Sequence, residues 1–270
     1  MINILQWNVR SLPARLPSIQ NLISSYKCSI ILISETWLLP SRNCVIPYFN
    51  LFRQDRTDSY GGVTIAAHTS LNVSLIEINP SLKQLLLENN IDLIGIKIAN
   101  IDDLPNTSFW SCYSPNDSSI PSEVWLSLFQ LAEYNSFFTG DLNAHHPAWG
   151  SITPTRRGNL IYDALNYVNL NILNNGSPTH VGRPNSTNSC IDLSLTTPNL
   201  FWLSTWRIID DPNGSDHLPI IISINPTDPN FSSNYRPTLH SDLSSNIKFN
   251  FNKADWSLFS QLLHMSNKRL

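Results

Sequence analysis

A succession of short apolar runs, each far below the length of a membrane span, most limits how this chain can fold. Asn3–Val9, Ser29–Ser34, Val63–His68, Leu93–Ala99, Ser108–Tyr113, Ser136–Thr139, Cys190–Thr196, Phe201–Ile209 and Leu218–Ile224 have the length of strands, and several are β-branched or aromatic. Between them lie stretches with helical spacing: Leu16–Tyr26, Ser122–Tyr134 and Gly158–Val168. In the second, Val124, Trp125, Leu128, Leu131 and Ala132 share one face behind Pro121 and Ser122. A spanning helix needs about 20 apolar residues in a row, so no membrane segment is expected. An early β-α-β order gives way to strand-rich segments. That order predicts an α/β fold with two packed sheets and helices outside, rather than one doubly wound parallel sheet.

After about residue 225 the composition turns to Pro, Ser, Asn and Asp, which predicts a domain over 1–225 and a linker over 226–248. Phe251, Trp256, Leu258, Phe259, Leu262 and Leu263 then suggest a short amphipathic helix within 249–270, the start of a further region. Charged residues make up only 14% of the chain and the formal net charge is −3. A nucleic-acid binder is usually basic, so any binding groove must be a local one on an acidic body. Arg10, Arg15, Arg156, Arg157 and Arg183 are candidates for it, although each alone reads as a surface arginine. Cys28, Cys44, Cys112 and Cys190 form no CxxC pair, and a reducing, intracellular setting is expected. Met1 leads at once into the first strand, so no signal peptide is expected.

Polar clusters stand at the ends of the expected strands, where a rigid strand meets an exposed loop. They are Trp7-Asn8, Glu35-Thr36-Trp37, Tyr113-Ser114-Pro115-Asn116, Gly140-Asp141-Leu142-Asn143 and Gly214-Ser215-Asp216-His217, with Asp192 inside another strand. Glu35 ends the run Ile30–Ile33, a costly place for a carboxylate unless it is paired or binds a cation. Asp141 and Asn143 would point to the same side of an extended chain and could orient a water and a phosphate oxygen; an Asx-rich turn is the plain alternative. His217 could act as an acid or base if an acceptor such as Asp192 held its other ring nitrogen. His68, His180, His240 and His264 read as structural or surface histidines. His145 and His146 read as structural or substrate-adjacent, since no Cys or His spacing around them fits zinc. Together the clusters suit phosphodiester hydrolysis, and no Gly-rich phosphate loop or serine elbow competes.

The ordered set Trp7-Asn8, Glu35-Thr36, Tyr113, Gly140-Asp141-Leu142-Asn143, Asp192 and Ser215-Asp216-His217 resembles the endonuclease/exonuclease/phosphatase superfamily over roughly residues 2–224. The resemblance implies a four-layer α/β sandwich, two packed mixed β-sheets flanked by helices, of the DNase I-like kind. It implies Mg²⁺, with Mn²⁺ as a substitute, held by Glu35 with Asn8 and Asp216. It implies catalytic roles for Asp141, Asn143, Tyr113 and His217, the last oriented by Asp192. Arg10, Thr179, Arg183 and Ser215 would contact the substrate. The segment Ala144–Ser151, which reads Ala-His-His-Pro-Ala-Trp-Gly-Ser, is similar to an extension in endonucleases of arthropod non-LTR retrotransposons of the jockey, I and R1 kind; Arg157-Gly158 also fits. Ala254-Asp255-Trp256 is similar to the segment that joins such endonucleases to a reverse transcriptase, and no paired polymerase aspartates follow it here. One departure stands out: abasic-site repair enzymes carry an acid where this chain has Arg10.

The resemblance implies a monomer that nicks double-stranded DNA in the nucleus, leaves a 3′ hydroxyl, and works with a reverse transcriptase in cis to prime reverse transcription. No membrane partner is implied. The alternatives are a phosphatase or phosphodiesterase on inositol or lipid headgroups, and an inactive relic that only binds nucleic acid. The Ala144–Ser151 extension speaks against the first, and the complete set of polar residues against the second.

Overall fold

Strand periodicity in the first run divides its side chains between two different cores. On β1 (Ile2–Asn8), Ile2 and Ile4 face one way and Leu5 and Trp7 the other, as alternation along a pleat requires. The structure, a computed structural model, describes residues 1–101, 104–116, 119–182 and 187–225. The expected linker and the segment after it lie outside the described residues.

After β1 come α1 (Leu12–Tyr26), β2 (Cys28–Ser34), β3 (Phe49–Gln54), β4 (Val63–His68), β5 (Val73–Leu75) and α2 (Pro80–Glu88). These are followed by β6 (Asp92–Ile98), β7 (Thr107–Tyr113), α3 (Ser122–Phe129), β8 (Ser136–Asp141), α4 (Arg156–Val168) and β9 (Asn171–Ile172). The last elements are β10 (Asp192–Thr196), α5 (Pro198–Phe201), β11 (Ser204–Ile208) and β12 (Ile220–Ile224). They form two six-stranded sheets, ordered β11-β12-β1-β2-β4-β3 and β5-β6-β7-β8-β10-β9. Both are mixed: β1 with β2 and β7 with β8 are parallel, and the other pairs are antiparallel.

Three apolar clusters separate four layers. Ile4, Ile30, Leu32 and Ile65 of the first sheet meet Ile96, Phe109 and Phe137 of the second between the sheets. Leu5, Trp7, Ile31 and Ile33 point outward to Leu12, Ile19 and Leu22 of α1. On the other side, Trp110, Cys112, Phe138 and Leu193 meet Val124, Trp125, Leu128, Ile161 and Leu165 of α3 and α4. Burying side chains of this size contributes about 1.5–3 kcal/mol each. Some of the polar groups that enter the interface between the sheets are bonded across it. Gln6 donates to the Leu193 carbonyl at 3.0 Å, and the Ser194 hydroxyl donates to Gln6 at 2.5 Å.

This topology fixes where chemistry can sit. Parallel β1 and β2 both end at Asn8 and Ser34, which are register partners. Parallel β7 and β8 end at Tyr113 and Asp141, also partners, and antiparallel β10 begins at Asp192 opposite Asp141. β12, antiparallel to β1, begins just after His217. Every polar cluster singled out in the sequence therefore emerges at the same end of the sandwich.

The structure departs from the sequence expectations at the weaker signals. β3, β5, β9, α2 and α5 were not anticipated; β5 and β9 are only 3 and 2 residues long. α1 starts at Leu12 rather than Leu16, because Pro13 fits the first turn, where its missing N–H is not needed. α3 stops at Phe129 rather than running to Tyr134. The start of the expected strand Phe201–Ile209 falls in α5, and the strand itself is Ser204–Ile208. No helix among the described residues is long and apolar enough to cross a membrane.

All four cysteines are free thiols; Cys28, Cys112 and Cys190 are buried and Cys44 is half-buried. Burial pushes the Cys28 and Cys190 thiols up to about 12 and Cys112 well above its ordinary value. A thiol reagent at neutral pH should therefore label Cys44 alone in the folded chain and all four thiols in denaturant. Rapid labelling of more than one thiol under native conditions would contradict this packing.

Candidate active site

The loops after β1 and β2 run side by side and set the floor of the site. Val9 N–H donates to the Ser34 carbonyl, Ser11 to Glu35 and Leu12 to Thr36, at 3.1, 2.9 and 2.9 Å. Arg10, Ser11, Glu35 and Trp37 all have positive φ, at 42°, 99°, 51° and 51°. Such backbone costs on the order of 1–3 kcal/mol per residue and clusters at functional sites. Here it turns both chains sharply off their strands, so that Asn8 and Glu35 face across to the second sheet.

Asn8 is the bridge. Its Nδ2 donates to Glu35 Oε1 at 2.8 Å and to Asp141 Oδ2 at 2.9 Å, while its Oδ1 accepts the Arg10 N–H at 3.2 Å. With both ends engaged, the amide can lie only one way round. It presents donors to the carboxylates, so in this arrangement Asn8 spaces Glu35 and Asp141 rather than offering them a ligand oxygen. Glu35 also accepts from Trp37 Nε1 at 3.1 Å and from the Tyr113 hydroxyl. Tyr113 is held well above its ordinary range by burial and by the two carboxylates.

Asp141 is 1% exposed. Burial first, then the charge of Asp192, pushes its carboxyl up to about 7, with His217 acting in the other direction. Burial alone would lower the His217 imidazole, but Asp192, Asp141 and Asp216 outweigh it and raise it to about 10. His217 Nδ1 meets Asp192 Oδ2 at 2.8 Å, and its Nε2 lies 3.8 Å from Asp141 Oδ2. Thr179 and Ser215 sit behind these groups. Thr179 is fully buried; its hydroxyl donates to Asp192 at 2.7 Å and accepts the N–H groups of Ile191 and Asp192. Ser215 Oγ donates to the Asn8 carbonyl at 2.8 Å and accepts the His217 N–H. The sequence suggested substrate contact for both. With their hydroxyls engaged in this way, they instead brace Asp192 and the His217 loop.

Asn143 leaves the strand with φ 48°, so it is not in the extended geometry expected from Asp141-Leu142-Asn143. Its N–H caps Asp141 Oδ1 at 3.0 Å and its Nδ2 donates to the Ser114 carbonyl at 3.1 Å. Arg157 ties the same two loops together. It donates to the Ser114, Pro115 and Leu142 carbonyls at 3.3, 2.9 and 3.0 Å. The Ala144–Ser151 segment docks α4 where this is possible. Trp149 Nε1 donates to the Ala144 carbonyl, His146 stacks on Tyr162 at 4.3 Å, and Thr155 and His145 exchange hydrogen bonds. Gly158 allows the close approach, since a Cβ there would lie 1.9 Å from the His145 carbonyl oxygen. His145 and His146 thus belong to a scaffold, the structural one of the two readings that the sequence left open.

The remaining sequence candidates fall on one flank. Arg10 pairs with Asp216, approaches Glu35 at 4.0 Å, and lies over the Trp37 ring. It stands between Glu35 and Asp216, so the acid group nearest a common point is Glu35 with Asp141 and His217, not Glu35 with Asp216. Burial would raise Asp216, yet the contacts with His180, His217 and Arg10 hold it below the usual carboxylate range. Arg15 is bound to the Gly214 carbonyl. Arg183 lies outside the described residues. His180, read as structural, packs edge-on against His217 with centroids 4.8 Å apart, which no sequence spacing suggested. A cavity of about 340 Å³ opens beside Asn143, with Asn116, Thr155 and exposed Arg156 on its wall. A larger cavity of about 680 Å³ lies at the opposite end of the first sheet, by Lys27, Tyr48 and His68.

Glu35 and Asp141 suit a hard divalent cation. They are paired carboxylates held by one amide, and the burial that raises Asp141 disfavours its charged form, which a cation would favour.

The family model described as endonuclease-reverse transcriptase matches residues 107–221. No curated protein matches the chain. Among solved structures, the endonuclease domain of TRAS1, a telomere-specific non-LTR retrotransposon, aligns with a TM-score of 0.67 at 24% identity, covering 83% of this chain and 98% of that one. An AP endonuclease from Leishmania major aligns at 0.65 and 14% identity, covering 83% and 87%. A mannosyl-6-phosphatase from Bacteroides thetaiotaomicron aligns at 0.57 and 13% identity, covering 83% and 99%. The chain has a DNase I-like fold, and the family match together with the TRAS1 fold supports the resemblance to retrotransposon endonucleases.

Thr179→Val should cost about 1–3 kcal/mol in urea unfolding, because it removes the acceptor of two buried N–H groups and one of the two donors to Asp192 Oδ2. Unchanged stability would mean that the hydroxyl does not hold Asp192.

Proposed function

We propose that this chain is a divalent-metal-dependent endonuclease that nicks one strand of double-stranded DNA and leaves a 3′ hydroxyl. The end it leaves primes reverse transcription by a polymerase encoded in cis. The chain acts as a monomer in the nucleus. The reading is carried chiefly by one observation: Glu35 and Asp141, from different sheets, share the Asn8 amide beside a His217–Asp192 pair. The endonuclease-reverse transcriptase match supports DNA over an inositol or lipid headgroup as the substrate.

Glu35 would hold a Mg²⁺ ion beside Asp141, and the ion would supply charge neutralisation at the scissile phosphate. The chain's own residues do the rest. Asp141 accepts the proton of the attacking water, the Asn143 amide orients the phosphate, and the departing 3′ oxygen takes a proton from solvent. Asn143 can do so because Arg157 and the Ser114 carbonyl fix its loop. The Tyr113 hydroxyl, kept protonated by its surroundings, turns from Glu35 to a phosphate oxygen. Asp192 holds His217 by Nδ1, so that Nε2 faces the charge that develops on the pentacovalent phosphorus. Asp216 acts through His217 and Arg10, and Arg10 offers a guanidinium where abasic-site enzymes carry an acid. Arg156, exposed beside Asn143, contacts the DNA backbone.

Supercoiled plasmid incubated with the full chain and Mg²⁺ should convert to open circles, and EDTA should abolish the conversion. Asp141→Ala and His217→Ala should each lower the rate by about 10²–10⁴-fold. A folded wild-type chain that leaves the plasmid supercoiled would refute the endonuclease reading; release of phosphate from phosphoinositides by the same sample would establish the headgroup alternative. Arg156→Ala and Arg157→Ala should separate the two arginines. The first should raise KM and flatten the salt dependence, the second should lower kcat with KM nearly unchanged. Equal effects on both constants would remove the positioning role of Arg157.

A further inference from the structure

At the flank of the cleft two histidines and a carboxylate converge outside the Glu35–Asp141 pairing. His180 and His217 come from segments far apart in the chain, joined by an isolated antiparallel bridge. Leu218 N–H donates to the Thr179 carbonyl and Val181 N–H to the Asp216 carbonyl, each at 2.7 Å. Residues directly opposed in such a pair send their side chains to the same face, which is why the two imidazoles meet. Asp216 lies alongside: Oδ2 is 3.8 Å from His180 Nε2, and Oδ1 is 3.8 Å from His217 Nε2. One ligand atom from each residue lies within 4.8 Å of the other two.

Three features turn this adjacency into a site. Each imidazole has its Nδ1 engaged, His217 with Asp192 at 2.8 Å and His180 with the Ser189 hydroxyl at 3.2 Å. That leaves Nε2 as the coordinating atom of each ring, with an oxygen on its far nitrogen, the outer-shell arrangement typical of metal-binding histidines. Asp216 Oδ1 is buried and has no hydrogen-bond donor, and a buried carboxylate oxygen needs a donor or a cation. Finally, the donor set is two nitrogens and one oxygen. Magnesium wants oxygens, whereas zinc takes imidazole nitrogen with carboxylate and commonly keeps a fourth position for water.

We propose that His180, Asp216 and His217 form a zinc site that shares His217 with the catalytic centre, so that zinc inhibits the chain. Zinc binds Nε2 of both imidazoles and Oδ1 of Asp216, and the proton on His217 Nε2 leaves to solvent. Arg10 keeps the other oxygen of Asp216. His217 is then committed to the metal and no longer faces the phosphate; this inhibitory part rests on the nuclease reading, whereas the binding part does not.

The test uses the full chain carrying Cys44→Ser, which removes the half-buried thiol as a competing ligand. Titration with Zn²⁺ by calorimetry, and with Co²⁺ as a coloured surrogate, should show one tight equivalent that excess Mg²⁺ does not displace. His180→Ala and Asp216→Asn should each weaken it by about tenfold or more, with circular dichroism confirming the fold. In the parent chain, Zn²⁺ should shift the imidazole NMR signals of both His180 and His217, a readout that needs no further variant. Unshifted signals, or zinc binding as tight in His180→Ala as in the parent, would overturn the site. In the nicking assay, the zinc concentration that halves the rate, relative to each protein's own zinc-free rate, should rise at least about tenfold in His180→Ala. Equal zinc sensitivity would overturn the inhibition. Zinc binding with no nicking under any condition would leave the site standing and remove the nuclease reading instead.

Discussion

The amide of Asn8 holds together what the rest of the site requires. Two carboxylates on different sheets would repel each other across a buried gap. One NH₂ group, donating to both, sets their spacing and links the two halves of the sandwich at the point where they carry charge. Around it, each functional side chain is oriented by a group that never reaches the cleft. Thr179 holds Asp192, Asp192 holds His217, Ser215 ties the His217 loop to β1, and Arg157 ties the Asn143 loop to that of Tyr113.

Much of the fold was legible because its strands alternate cleanly or are apolar throughout. Ile30 to Ile33 and Val63 to Ala66 could hardly be anything else. The short and edge elements were not legible. Their residues are half-exposed, and pairing with a neighbour, not their own pattern, makes them strands. The site clusters were visible because polar groups at the ends of apolar strands are conspicuous. Their division of labour was hidden. A threonine that touches substrate and a threonine that braces an aspartate have the same spacing, and only burial separates them. His180 was invisible for a related reason, since its meeting with His217 depends on a two-residue bridge that no periodicity announces.

The retrotransposon-like extension after Asn143 shows how a sequence signature and a physical role can differ. Read as a string, it marks a lineage. In the structure it is a dock: Trp149, His146 and Gly158 seat α4, and α4 delivers Arg157 to the loops of Tyr113 and Asn143. Its residues are then constrained by packing as much as by chemistry, so a substitution at Trp149 or Gly158 would disturb the Asn143 loop from outside the site.

The pairing of β1 with β12 has a consequence for how the chain comes into being. Ile2 is the register partner of Ile224, so the first sheet stays open until nearly all of the described chain has left the ribosome. Contacts of such sequence separation form late and slowly. His217 lies just before that closing strand, and Asn8 sits at the end of the strand that waits for it. Each nascent chain therefore carries most of these site residues early but can bring them together only once β12 has been made.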